Sequence, residues 1–115
     1  MTTLAFAFTK LVVTDLARET AFYRDAIGLH PVGHACTDEH EEAILAIPGQ
    51  QGSPLLMLMR YLDRPAPPAG SACVGFAVND LPTTIAAVEA GGGRVVTPPQ
   101  DVAEHRLTIA IVADP

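Results

Sequence analysis

The residues that could do chemistry in this 115-residue chain are few, and only one group of them is dense. His34, Cys36, Asp38, His40 and Glu42 alternate along the sequence. Imidazole, thiolate and carboxylate are the donors a divalent metal takes, and alternation would set them on one face of a strand. The stretch TDEHEE, Thr37–Glu42, has the composition of a polar turn, so one straight face is not expected. These five residues read as solvated polar side chains, with an unconventional metal site as the alternative. Lys10 and Arg60 each sit inside apolar runs. There they could orient an anionic or carbonyl-bearing ligand, or lay their stems along an apolar wall with the charges in solvent. Cys36 and Cys73 show no CxxC spacing and read as buried small hydrophobes. Tyr23, beside Phe22, reads as packing, and Tyr61 as an acid–base candidate one residue off the ligand-facing parity. His105 lies between breakers and is expected to be exposed.

No G-x-S-x-G, phosphate loop, dinucleotide fingerprint or H-E-x-x-H occurs in the sequence. The run Gly91–Gly93 follows a helical segment and reads as a helix stop, not a phosphate cradle. Thirteen acidic residues against seven basic ones give a net charge of −6 with no basic tract, which argues against nucleic acid and anionic membranes as partners. A hydrophobic fraction of 49% argues against disorder. No apolar run is long enough to span a bilayer, and the N-terminus lacks a basic region followed by an apolar one. A cytoplasmic protein is expected.

The elements that must position these residues follow from periodicity. Leu4–Val13 is a strand with Phe6, Phe8, Lys10 and Val12 on one face. Asp15 caps a helix over Leu16–Ala26, with Leu16, Thr20, Tyr23 and Ile27 toward the sheet and Arg18, Glu19 and Asp25 toward water. Gly28 ends it. Leu29–Cys36 and Ala43–Ile47 are strands, the latter with a possible start at His40. Pro48–Pro54 is a loop, and Leu55–Leu62 is another strand. The Pro-rich stretch Asp63–Ser71 is a connector. The second half expects a strand at Cys73–Val78, a helix at Thr83–Ala90 capped by Asp80, a strand at Arg94–Thr97 broken by Pro98 and Pro99, and a strand at Arg106–Val112. Moving the second half back by about 65 positions sets Phe76 on Leu11, Val78 on Val13, Asp80 on Asp15, Leu81 on Leu16 and Gly93 on Gly28.

The stretches VVTDLARETAFYRDAIGL and CVGFAVNDLPTTIAAVEAGGGRVV, with the terminal IVADP, resemble the vicinal oxygen chelate superfamily, which includes glyoxalase I, bleomycin-resistance proteins and extradiol dioxygenases. The resemblance covers nearly the whole chain. It implies an α+β fold of tandem βαβββ modules whose mixed sheets curve into a cup with helices outside. It divides one domain, 1–115, into module one (1–62), a linker (63–71) and an incomplete module two (72–115) that lacks its last strand.

Metal-dependent members of the family hold a divalent ion in the cup. Carried over by position, their ligands fall on Phe8, near Leu58 and on Cys73, with a final carboxylate beyond Pro115. Phenylalanine and leucine cannot ligate a metal, so neither a metal nor another cofactor is expected. The residues expected to line the cup and bind ligand are Phe8, Lys10, Val12, Leu56, Leu58, Arg60 and Cys73, with plain core packing as the alternative. The resemblance implies a metal-free protein that binds a small, partly apolar molecule, with a homodimer as the expected assembly. The alternatives are a metal-dependent lyase, isomerase or dioxygenase of the glyoxalase type, and a non-catalytic dimeric assembly module.

Overall fold

Two aspartates start the two helices, and they do so in the same way. The structure, a computed structural model, describes residues 4–115; residues 1–3, which open the first expected module, lie outside the described residues. Asp15 has extended backbone and its carboxylate accepts the Arg18 N–H at 3.0 Å. Asp80 repeats this with the Thr83 N–H at 3.1 Å, followed by Pro82 in the first turn. Each cap satisfies an N–H that the helix itself cannot.

The chain runs β1 (Phe8–Val12), α1 (Leu16–Phe22, continued by a π-turn over Tyr23–Ile27), β2 (His30–Cys36), β3 (His40–Ile47), β4 (Gln50–Tyr61), α2 (Leu81–Ala90), β5 (Arg94–Val102), a 3₁₀ turn (Ala103–His105) and β6 (Leu107–Ala113). The first four strands form a curved mixed sheet in the order β1-β4-β3-β2, with β1 parallel to β4. β5 and β6 form a separate antiparallel ribbon. The α+β class and the βαβββ plan of the first half are as expected.

The buried centre is one cluster of Leu11, Leu16, Phe22, Tyr23, Leu29, Ala43, Leu45, Leu56, Leu58 and Val88. It joins one face of the sheet to α1 and to Val88 of α2. Phe22 and Tyr23 meet edge to face at 5.2 Å between ring centres, a geometry that matches the positive ring edge to the negative face.

Several expectations are corrected. The helix stripe is Leu16, Glu19, Phe22 and Tyr23, so Glu19 is buried and does not face water. Cys36 and Cys73 are exposed and free, not buried. The expected loop Pro48–Pro54 shrinks to a two-residue turn at Pro48 and Gly49, since Ile47 already pairs with Gln50 and Gly49 takes a φ of 81°. β5 runs through Pro98 and Pro99, because the ladder skips from Thr97 to Gln100 and asks neither proline for an N–H. Cys73–Val78 forms no ladder: in the first half β1 is held only by β4, and no described strand takes the equivalent place beside Cys73–Val78.

The repeat also slips by one residue. Gly28 ends the first helix at a φ of 95°, but in the second half the left-handed residue is Gly92, at 96°, not Gly93. The π-turn over Tyr23–Ile27 inserts one extra residue into the first helix only, which accounts for the slip. Gly93 has another duty. A Cβ there would lie 2.7 Å from both the Ala113 carbonyl oxygen and Val88 Cγ1, so only glycine admits that approach.

Candidate ligand site

Pairing in β3 and β4 sends two consecutive glutamates to opposite faces of the sheet. Glu42 lies opposite Met59 and Glu41 opposite Arg60. The β1–β4 register puts Phe8, Lys10 and Val12 opposite Leu55, Met57 and Met59. One face therefore carries Phe8, Lys10, Val12, His40, Glu42, Ile44, Leu55, Met57 and Met59. The other carries Leu11, Ala43, Leu45, Leu56 and Leu58, and α1 packs on it.

On the face turned away from α1, Lys10 Nζ donates to Glu42 Oε1 at 2.8 Å, and His40 Nε2 lies 3.2 Å from the same oxygen. His40 Nδ1 is 3.3 Å from Thr37 Oγ1. Glu42 is buried, and the Lys10 ammonium that donates to it compensates the carboxyl group's loss of water. The Lys10 ammonium also stands 5.9 Å from the Phe8 ring centre, within reach of a cation–π attraction.

On the helix side, Arg60 donates through Nε and Nη2 to Glu41 Oε1 at 2.9 and 2.7 Å. His34 Nε2 lies 3.7 Å from Glu41 Oε2. Glu41 and Arg60 border an open groove of about 460 Å³ with Thr14, Asp15, Leu16 and Ala17. A second cavity of about 260 Å³ lies between the sheet and the Val74–Phe76 segment, with Thr9, Leu45 and Leu56 on its wall.

Of the seven residues expected to share a ligand site, the structure brings together Phe8, Lys10 and Val12. Leu56 and Leu58 fall on the opposite face, at 5% and 0% exposure, inside the core. Arg60 shares their side, in the groove beside α1. Cys73 stands apart, exposed in the segment that forms no ladder. The cause is the sequence of β4: LLMLM is apolar at every position, so no alternation marks which residues face the helix. Leu55, Met57 and Met59 take the positions on the Lys10 face. His40 and Glu42, read from sequence as solvated, stand on that same face beside Lys10. Their signal was alternation with Ala43 and Leu45 once the strand starts at His40. The five alternating residues His34–Glu42 do not converge, because the turn at residues 37–39 separates two strands and β3 turns His40 and Glu42 away from His34.

The positions that would hold a metal in this fold do not fit one. Phe8 lies opposite Leu55, with Met57 and Met59 further along the same face, and the Lys10 ammonium already engages the Glu42 carboxylate. Among the described residues no three His, Cys, Asp or Glu side chains are grouped to hold an ion.

A third polar group lies where α1 meets the end of the chain. Tyr23 OH donates to Asp114 Oδ2 at 2.7 Å. Glu19 is 4% exposed and its Oε2 has no partner among the described residues. Burial, then the charge of Asp114, pushes the Glu19 carboxyl up to about 8, and Arg18 only partly offsets this. The Tyr23 phenol is pushed far above its ordinary range by burial and then by its bond to Asp114.

Residues 5–115 match the family model described as the Glyoxalase/Bleomycin resistance protein/Dioxygenase superfamily. Among solved structures, glyoxalase I of Zea mays (a V278E mutant) is similar at 22% identity and a TM-score of 0.76, with 95% of this chain covered. This chain spans 42% of the maize protein's length. The trypanothione-dependent glyoxalase I of Leishmania major is similar at 19% identity and a TM-score of 0.77, covering 98% of this chain and 81% of that one. TioX from Micromonospora sp. ML1 is similar at 21% identity and 0.61, covering 96% and 89%. No curated protein matches by sequence.

Proposed function

This chain belongs to the Glyoxalase/Bleomycin resistance protein/Dioxygenase superfamily, and from that premise we propose that it binds a small, partly apolar molecule without a metal. The ligand lies on the sheet face that carries Phe8, Lys10, Val12, Ile44 and Met57. The observation that supports this reading is the Lys10–Glu42–His40 group, set among apolar side chains on the face away from the core. Apolar burial supplies affinity and the polar group supplies orientation, as in small-molecule sites generally. The Phe8 ring, 54% exposed, is surface that a ligand would cover.

The test is an NMR titration of the full chain with a set of apolar fragments, followed by the same titration of Lys10→Met. Shifts confined to residues 8–12, 42–44 and 55–59, altered in the variant, are expected. Shifts confined to the 260 Å³ cavity beside Val74 and Phe76 would move the site to the other side of the sheet. Metal content after incubation with zinc, nickel, manganese and ferrous ions is expected to be near zero per protomer. About one tightly held ion per protomer would favour the glyoxalase-type enzyme instead.

A homodimer is proposed as the assembly. Its support is the apolar row Leu107, Ile109 and Ile111 on β6, exposed at 52, 44 and 50%. A mass near one chain by sedimentation at micromolar concentration would exclude it. A cytoplasmic location is proposed as well, and the two free cysteines support it.

A further inference from the structure

We propose that the Lys10–Glu42–His40 group recognises a neutral function that presents a hydrogen-bond acceptor beside an N–H or O–H donor, of which a primary carboxamide on an apolar body is the simplest form. This rests on the preceding reading of the sheet face and names the chemistry that the face selects.

Glu42 engages its neighbours through one oxygen: Oε1 accepts from Lys10 Nζ at 2.8 Å, and His40 Nε2 lies 3.2 Å from it. Oε2 has no hydrogen-bond partner among the described residues, and it is not sealed from solvent. The Lys10 ammonium has three donors and gives Glu42 one of them. A strong donor and a strong acceptor therefore stand side by side with capacity left over. Their side chains are 36% and 11% exposed, so the carboxylate is largely out of water while the ammonium can be reached.

The charge balance selects the ligand. A carboxylate drawn to Lys10 would stand against Glu42, and an ammonium drawn to Glu42 would stand against Lys10. Each gains one attraction and suffers one repulsion at nearly the same distance. A carboxamide avoids the conflict: its C=O accepts from Lys10 and its N–H donates to Glu42 Oε2. Both bonds are charge-assisted on the protein side. Phe8 and Met57 flank Lys10 on the same face, and Ile44 flanks Glu42, so the apolar body has a place to lie.

The test compares probes of one size: benzamide, benzoate, benzylammonium and N,N-dimethylbenzamide, each titrated by NMR into the full chain, Lys10→Met and Glu42→Gln. Benzamide is expected to shift residues 8–12 and 42–44 and to bind about five-fold more tightly than the other three. Both variants should lose about that factor for benzamide. Benzoate binding as tightly as benzamide would overturn the proposal, because Lys10 would then be a plain anion anchor. Benzylammonium binding as tightly would overturn it through Glu42. If apolar fragments shift the face but benzamide shows no preference, only this inference falls. If neither shifts it, the proposed function falls too. The comparison of probes on the unaltered chain decides the matter even if a variant folds poorly.

Discussion

Replacing Glu19 by Gln should make this protein more stable at neutral pH. The native carboxyl is pushed up to about 8 from an ordinary 4.5, first by burial and then by Asp114. Below about pH 4.5 the group is protonated in both folded and unfolded chains and contributes nothing. Above that, the unfolded chain ionises while the native one holds its proton, so native stability falls as pH rises. The slope is about 1.4 kcal/mol per pH unit until the native group ionises near pH 8. At pH 7 the interval of about 2.5 units corresponds to about 3 kcal/mol as an upper bound. Gln fills the same space, needs no proton and can donate its amide N–H to Asp114. Glu19→Gln should therefore equal the parent chain at pH 4 and exceed it by about 1–3 kcal/mol at pH 7. The assay is urea unfolding followed by far-UV circular dichroism from pH 4 to 8. In melting temperature the pH 7 gain corresponds to about 4 °C per kcal/mol for a chain of this size. A difference between the two chains that stays flat with pH would refute the reasoning, because it would mean that Glu19 ionises alike in both states. Asp114→Asn should end the fall at a lower pH, because removing the second cause brings the native Glu19 carboxyl back toward its ordinary range.

Other perturbations test the placement of the sheet faces and the helix ends. Leu58→Ala should cost about 2–5 kcal/mol by urea unfolding, since the side chain is fully buried. Phe8→Ala, at 54% exposure, should cost under about 1 kcal/mol and act on ligand binding instead. Gly93→Ala should destabilise by about 1–3 kcal/mol or more, because its Cβ would meet backbone and Val88 at 2.7 Å. Asp80→Ala should cost about 1 kcal/mol through loss of the bond to Thr83, read as earlier thermal unfolding.

The helix starts and the first helix stop were legible without coordinates. An aspartate before an apolar periodic run and a glycine after it leave few backbone solutions, so Asp15, Asp80 and Gly28 act as their positions suggest. The family was legible from the same repeat, and the family model now covers residues 5–115. The slip at Gly92 was not, because a π-turn depends on how Tyr23 and Ile27 pack and leaves no mark in residue type.

The candidate site divides in the same manner. The sequence alone determined that Phe8, Lys10 and Val12 share a face, since β1 is short and its parity is intrinsic to a strand. It also put at position 8 a phenylalanine, a side chain that cannot ligate a metal. Tertiary pairing decided the rest. β4 is apolar on both faces, and only its register against β1 and β3 says that Met57 lies with Lys10 while Leu58 lies in the core. The Lys10–Glu42 pair joins residues 32 apart in the chain. The approach of Asp114 to Tyr23 spans 91. No local pattern encodes a contact of that range, because each partner is an ordinary polar residue until folding removes its water and leaves the other in its place.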